Sequence, residues 1–295
     1  MCWNGCGLDK IAVVVSFVLS LVMNGLGSSG ALSGKSIGEI SNEYPTYVTP
    51  DGLTFSIWAV IYTLELVLVV RQVSPDPHAE ALLSQPGPSG CFSVRWRLVM
   101  VFMANGIWLP LYVNLCFGWA LIVIIVYLGY LLSVYRDLNS KTASSFWEWL
   151  SFCAGIACNA SWVLVATCAN AFTFAGVLGW KDSFGVAGTP TAAAVVVVAV
   201  SVIGIFKAVL RSDLAWSLVV CWALAGVYRM QTGSDPDAFP EGALDRQLAL
   251  VAIWCSSVTF LASLVGLFLG DNNGALQGLK GVTVAKPLAT GALSP

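Results

Sequence analysis

The sequence predicts an all-α, polytopic transmembrane helical bundle of about eight spans, or seven if the first is cleaved. Three observations carry this. Only 10% of the 295 residues are charged and 57% are hydrophobic, whereas a soluble domain carries roughly 25% charged residues. The mean hydropathy is +0.80. The apolar residues also fall into runs of about 20, the length a helix needs to cross a bilayer. A chain so poor in polar cover needs membrane lipids as its surroundings. Its net charge of −2, with no basic block, excludes nucleic acid as a partner.

The first run, residues 11–26, follows Lys10 and is short enough to resemble the apolar part of a signal peptide. Its weakly charged flank favours a retained helix. Residues 27–49 form a polar segment with Lys35, Glu39, Glu43 and Pro45, whose length makes it a functional loop or a mobile one. The second helix opens at Thr49 as a cap, with Pro50 suited to the first helical position and Asp51 to the helix dipole. It runs to Val70 and places Phe55, Trp58, Tyr62 and Glu65 on one face.

A Pro/Gly/Ser-rich connection, SPDPHAEALLSQPGPSG, leads to a third helix over 96–117, which Pro110 is expected to kink. Gly118 allows a tight turn into a fourth over 119–135, and polar RDLNSKTASS precedes a fifth over 146–172. A loop through Lys181 and Asp182 leads to a sixth over 191–210. The short hinge Arg211-Ser212-Asp213 precedes a seventh over 214–230, and an acidic loop precedes an eighth over 247–269. The divisions expected are an N-terminal tail (1–10), a five-helix ligand-binding bundle (11–172), three additional helices (173–269) and a mobile C-terminal tail (270–295).

Basic residues set the topology. Lys10, Arg71, Arg95, Arg97, Arg136, Lys141, Lys207, Arg211, Lys280 and Lys286 fall on one side, and Lys35, Lys181, Arg229 and Arg246 on the other. This asymmetry puts both termini on the cytoplasmic or equivalent side.

Candidate chemistry lies mainly in deep polar and aromatic side chains. Asn105, Trp108 and Tyr112 share a face of the third helix, and Asn159, Trp162, Ala166 and Asn170 form a stripe on the fifth. Asparagine amides in hydrocarbon need partners, as interhelical bonds or as ligand contacts. Trp96, Trp119, Trp147, Trp149 and Trp180 fall near helix ends, where an interfacial belt accounts for them. Trp58, Trp108, Trp162, Trp222 and Trp254 lie deeper, where rings either wall a slot for a flat ligand or pack on one another. Glu65 is the deepest carboxylate. It can be protonated, pair with a neighbour or reach the interface, and it is the candidate proton or polar site. Glu148 and Lys207 lie where snorkelling to the interface accounts for them.

Cys2 and Cys6 form a lone CxxxC that reads first as an unremarkable end of the chain, with redox, metal or lipid chemistry as the alternatives. The other seven cysteines are scattered, and His78 stands alone, so no protein-ligated metal site is expected. No GxSxG elbow, phosphate loop or HExxH occurs, so no enzyme and no covalent cofactor are expected. Ala154 and Cys158 make a small-xxx-small face that admits helix pairing or a homodimer.

The run ISNEYPTYVTPDGLTFSIWAVIYTLE resembles the first-loop and second-helix signature of the tryptophan-rich sensory protein / translocator protein (TspO/MBR) family, particularly its longer multi-helix members. Pro50, Gly52, Phe55, Ile57, Trp58, Ile61 and Tyr62 meet the pattern. Asn105 with Trp108, WVLVATCAN from Trp162 to Asn170 and DLAWSLVVCWALAGV from Asp213 to Val227 extend it. The resemblance implies that the first five helices enclose a pocket with residues 27–49 as a lid. It also implies a flat hydrophobic ligand, a porphyrin/tetrapyrrole or sterol-like molecule, bound without covalent chemistry. By that analogy Pro50, Phe55, Trp58, Tyr62, Asn105, Trp108, Trp162 and Asn170 line or support the pocket. The rival expectations are a secondary transporter using Glu65 in proton coupling, a structural subunit of a membrane complex, and turnover of a bound porphyrin.

Overall fold

The computed structural model describes residues 7–87, 92–139, 143 and 145–269. Cys2, Cys6, Cys91, Lys141 and the tail from 270, with Lys280 and Lys286, lie outside them. The described chain is helical throughout, with isolated bridges and no strand. In order the helices are α1 (Leu8–Ser28), α2 (Ile37–Glu43), α3 (Ile57–Arg71), α4 (Pro77–Ser84), α5 (Val94–Val113) and α6 (Phe117–Asp137). They continue as α7 (Phe146–Glu148), α8 (Gly155–Val177), α9 (Pro190–Arg211), α10 (Leu214–Gln231) and α11 (Arg246–Leu269). A π-helical stretch, Trp149–Ala154, joins α7 to α8. Among the described residues seven helices are long and apolar enough to cross a membrane, and the 18-residue α10 is the eighth long helix.

The α7–α8 rod is the central post. Buried positions make up 72% of its apolar stretch, against 28% for α1 and 33% for α6, α9 and α11. Helices α3, α6 and α10 pack on α8, α5 joins α1 to α6, and α9, α10 and α11 pack on one another. The outer faces carry exposed Val18, Val22, Ile122, Ile125, Val195, Val202, Leu261 and Phe268. In water such a surface would drive association; facing acyl chains it is the expected exterior. Helix α10 is different because most of its residues are buried against other helices. Its neighbours supply Ser161, whose hydroxyl donates to Trp216 O at 2.9 Å, and Ser256, which donates to Cys221 O at 2.9 Å. Polar residues are tolerated there because they meet partners instead of lipid.

Several boundaries differ from the sequence expectation. The α3 rod does not begin at Pro50. Asp51 is extended and Gly52–Ser56 form a 3-10 turn before the α-helix starts at Ile57. The polar segment 27–49 contains α2, whose start is closed by a capping box between Ser36 and Glu39. The loop after α3 contains α4, with Asp76 accepting from His78 N and Pro77 in the first turn. The third helix ends at Val113, not at 117, and Pro110 lies in its last turn. The turn into α6 is made at Leu115, which adopts φ 62°, and not at Gly118. Gly118 instead sits inside α6, where a Cβ would come within 3.1 Å of the Phe174 ring.

Side chains also depart from expectation. Trp254 is 68% exposed and turns outward, so it is not a deep ring. The Lys207 ammonium lies 4.1 Å from the Tyr135 ring centroid and 4.5 Å from that of Trp216. His78 is not isolated, since its Nε2 is 2.7 Å from Glu148 Oε1. The Ala154/Cys158 face is buried within the chain, in keeping with the helix pairing expected of it.

Opposite the cavity described next, Arg95 is fully buried and holds the α4 segment to the bundle. Its guanidinium makes paired bonds of 2.7 and 2.8 Å to the Glu80 carboxylate and reaches Asp9 at 3.3 Å and Gln72 at 3.2 Å. These bonds hold the Glu80 carboxyl down at about 2.

Candidate functional site: a neutral aromatic cavity

A cavity of about 450 Å³ opens at the end of the bundle where α1 and α5 finish and α3 begins. It falls in the size range of small-molecule sites. Its aromatic wall follows from helical spacing: Trp58 and Tyr62, four residues apart on α3, stack with centroids 5.3 Å apart. Phe55 joins them from the 3-10 turn, and Trp108 and Leu109 face them from α5. Leu21, Asn24 and Ser28 contribute from α1, and Ile37, Ser41 and Asn42 from α2.

A second space of about 40 Å³ adjoins it deeper in the bundle, lined by Trp58, Trp108, Tyr112, Trp162, Ala166 and Asn170 among others. Here Trp162 packs edge-on to Phe55 (5.6 Å) and Trp58 (6.3 Å). Trp108 donates its indole N–H to Asn170 Oδ1 at 3.1 Å. That bond fixes the ring plane and satisfies the amide oxygen in one step.

Of the eight residues suggested by sequence, Pro50, Phe55, Trp58, Tyr62 and Trp108 line the larger cavity, while Trp162 and Asn170 line the smaller. Asn105 lines neither. It is fully buried behind the wall, receiving Asn24 Nδ2 at 3.4 Å and lying 3.5 Å from the Tyr62 hydroxyl. Glu65 is also outside the cavity and has no exposure. It lies on the same face as Phe55, Trp58 and Tyr62, lower down, where that face packs on α8. Asn159 Nδ2 donates to its Oε1 at 2.5 Å, and Tyr127 donates in turn to Asn159 Oδ1 at 2.9 Å. One helix face therefore walls the cavity at its top and packs against the central post at its bottom.

The segment 27–49 covers the cavity with α2 and the stretch after it, and that stretch is tied to the connection between α8 and α9. Ala187 N donates to Pro45 O at 2.9 Å, and Tyr47 N donates back to Ala187 O at 3.3 Å. The Tyr47 hydroxyl donates to Asp182 Oδ2 at 2.5 Å. Burial, with the adjacent Asp182 carboxylate, holds the Tyr47 phenol well above its ordinary range, so it remains a donor.

Sequence reasoning missed the contribution of the end of α10 and of the α10–α11 connection. Met230, Ala238 and Phe239 complete the lining, and Phe239 packs edge-on to Tyr47 at 5.7 Å. The signal was local: Ala238 and Phe239 form an apolar pair inside an acidic loop. Helix α10 also seats the turn that starts α3. Arg229 Nε meets Asp51 Oδ2 at 2.6 Å, Asp51 N donates to Gly226 O at 3.1 Å, and Trp222 Nε1 donates to Thr54 O at 2.8 Å. Thr54 closes the set by donating its hydroxyl to Asp51. The deep Trp222 of the sequence reading is thus 40% exposed and anchors the rim instead of walling the pocket.

Among the described residues no group of three or more His, Cys, Asp or Glu could hold a metal ion. The arrangement is suited to enclosing a flat apolar molecule between rings, with amides and hydroxyls available at one end. A family model described as "TSPO-like protein" matches residues 10–265. No curated protein and no solved structure matches the chain.

Proposed function

The chain belongs to the TSPO-like protein family, and from that premise we propose that this integral, multi-pass membrane protein binds a flat hydrophobic ligand in its Trp-lined cavity. The ligand class is a porphyrin/tetrapyrrole or a sterol-like molecule. Binding is by burial between rings, without covalent chemistry or catalytic turnover. The observation that carries this is the stacked Trp58–Tyr62 pair facing Trp108 across a cavity of about 450 Å³. Flat rings give a flat ligand large contact area at little conformational cost. Asn105 would support Tyr62 from behind, Asn170 would hold Trp108, and segment 27–49 would act as the cover. The five-helix unit over 11–172 would supply most of the pocket.

Titration of the purified protein with a porphyrin, followed by Trp fluorescence, tests this. Saturable quenching that is lost in the double variant Trp58→Ala/Trp108→Ala is the expected result. Quenching that persists unchanged in that variant would remove the ligand from this cavity.

A second reading, proton-coupled transport, is favoured by one feature. Glu65 is fully buried on the helix that walls the cavity, with Oε1 held by Asn159 and Oε2 without a protein partner. It predicts pH-dependent ligand flux into liposomes that Glu65→Gln abolishes, whereas a receptor binds without flux.

A further inference from the structure

We infer, resting on the ligand-binding reading above, that the cavity selects uncharged ligands: a flat apolar molecule whose polar end is a hydroxyl, carbonyl or ester, and not one bearing a free carboxylate. Among the described residues that line the cavity, none is Asp, Glu, Lys, Arg or His. Its polar groups are neutral amides and hydroxyls, chiefly Asn24 and Ser28 from α1 and Ser41 and Asn42 from α2. Such groups can bond a neutral oxygen. They do not supply the opposite charge that a buried carboxylate needs to offset its lost hydration.

The cations near the rim lie outside the lining, and two of them are paired with carboxylates. Arg229, adjacent in sequence to the lining residue Met230, is bonded through Nε to the buried Asp51. Lys35 is paired with Glu43, and Lys181 lies 5.8 Å from the Tyr44 ring centroid. The rim instead presents a negative group. The Asp235 carboxylate lies against Gly52, a lining residue, so close that a Cβ there would stand 3.2 Å from Oδ2. An anionic ligand would meet like charge on the way in and find no counter-charge inside. A neutral ligand of the same shape meets neither obstacle.

The test uses pairs that share a ring system and differ in charge. Full-length protein in detergent at pH 8 is titrated with protoporphyrin IX dimethyl ester and with the free diacid, following Trp quenching. Cholesterol and cholesteryl hemisuccinate, read by competition or thermal shift, repeat the comparison on a second skeleton. The neutral member of each pair is expected to bind at least about tenfold more tightly. Asn42→Lys, an exposed position on α2 that lines the mouth, is expected to narrow that ratio several-fold by adding the missing cation. Equal or tighter binding of the charged members overturns the selectivity while leaving the pocket reading standing. Failure of all four molecules to bind removes the pocket reading, and this inference with it.

Discussion

Arg229 Nε lies 2.6 Å from Asp51 Oδ2, joining residues 178 positions apart in the chain. The Asp51 side chain is 3% exposed and that of Arg229 47%, so the pair sits at the boundary between the bundle interior and its rim. The bond links the turn that begins the aromatic wall to the helix that ends beside Met230.

Breaking that pair is expected to be asymmetric. Arg229→Gln leaves the buried Asp51 carboxylate without its cation, and a loss of about 1–3 kcal/mol is expected after allowance for the exposed Arg end. Asp51→Asn leaves Arg229 free to turn to solvent and costs less. Thermal unfolding in detergent at one scan rate ranks the two, and the reverse order would contradict the burial difference.

Gly226 is where the turn before α3 meets α10. A Cβ there would stand 2.7 Å from Pro50 Cβ and 2.8 Å from Thr54 Cγ2. Gly226→Ala is expected to destabilise by about 1–3 kcal/mol through overpacking. It should also weaken cavity ligands, because Pro50 and Phe55 move with the turn. An unchanged melting temperature together with unchanged affinity would show that the contact has room to give.

The Glu65–Asn159–Tyr127 set predicts a graded series. Glu65→Gln keeps an acceptor oxygen for Asn159 and is expected to change stability by less than about 1 kcal/mol. Asn159→Leu removes the donor to Glu65 Oε1 and the acceptor for Tyr127 together, at an expected cost of about 2–4 kcal/mol. Loss of expression in Glu65→Gln as severe as in Asn159→Leu would contradict this ordering.

Trp108→Phe keeps an aromatic wall but removes the donor to Asn170 Oδ1. A stability loss of about 1 kcal/mol is expected, with ligand affinity falling several-fold because the ring is no longer fixed. Titration of the variant beside the wild type reads the affinity directly.

His78 provides a pH signature away from the cavity. Its hydrogen bond to Glu148 raises its pKa above the usual value of about 6.5, with Asp76 adding in the same direction. Stability from this pair is therefore fully present below about pH 6.5 and lost as pH rises through the raised folded-state value. Wild type should lose its advantage over His78→Gln across that interval, measured as the difference in unfolding midpoint at pH 6 and pH 8.5. A constant difference would mean that the pair does not link α4 to α7 in solution.

The sequence by itself determined the solvent, the helices and the aromatic face. Runs of about 20 apolar residues leave a backbone little choice in lipid, because every amide must bond within its own segment. That is why the long helices are legible, and why Trp58 and Tyr62 could be placed side by side from spacing alone. Their cross-chain partners could not. That Trp108 donates to Asn170, that Asn105 stands behind the wall and that Glu65 meets Asn159 depend on how α3, α5 and α8 rotate against one another. Those rotations are set by close packing over many residues, including Gly155, where a Cβ would come within 3.1 Å of the α3 backbone. Tertiary structure alone decided that α10 and the loop after it complete the cavity. Asp51 reads locally as a helix-start residue, and only a chain folded back on itself brings Arg229 to it.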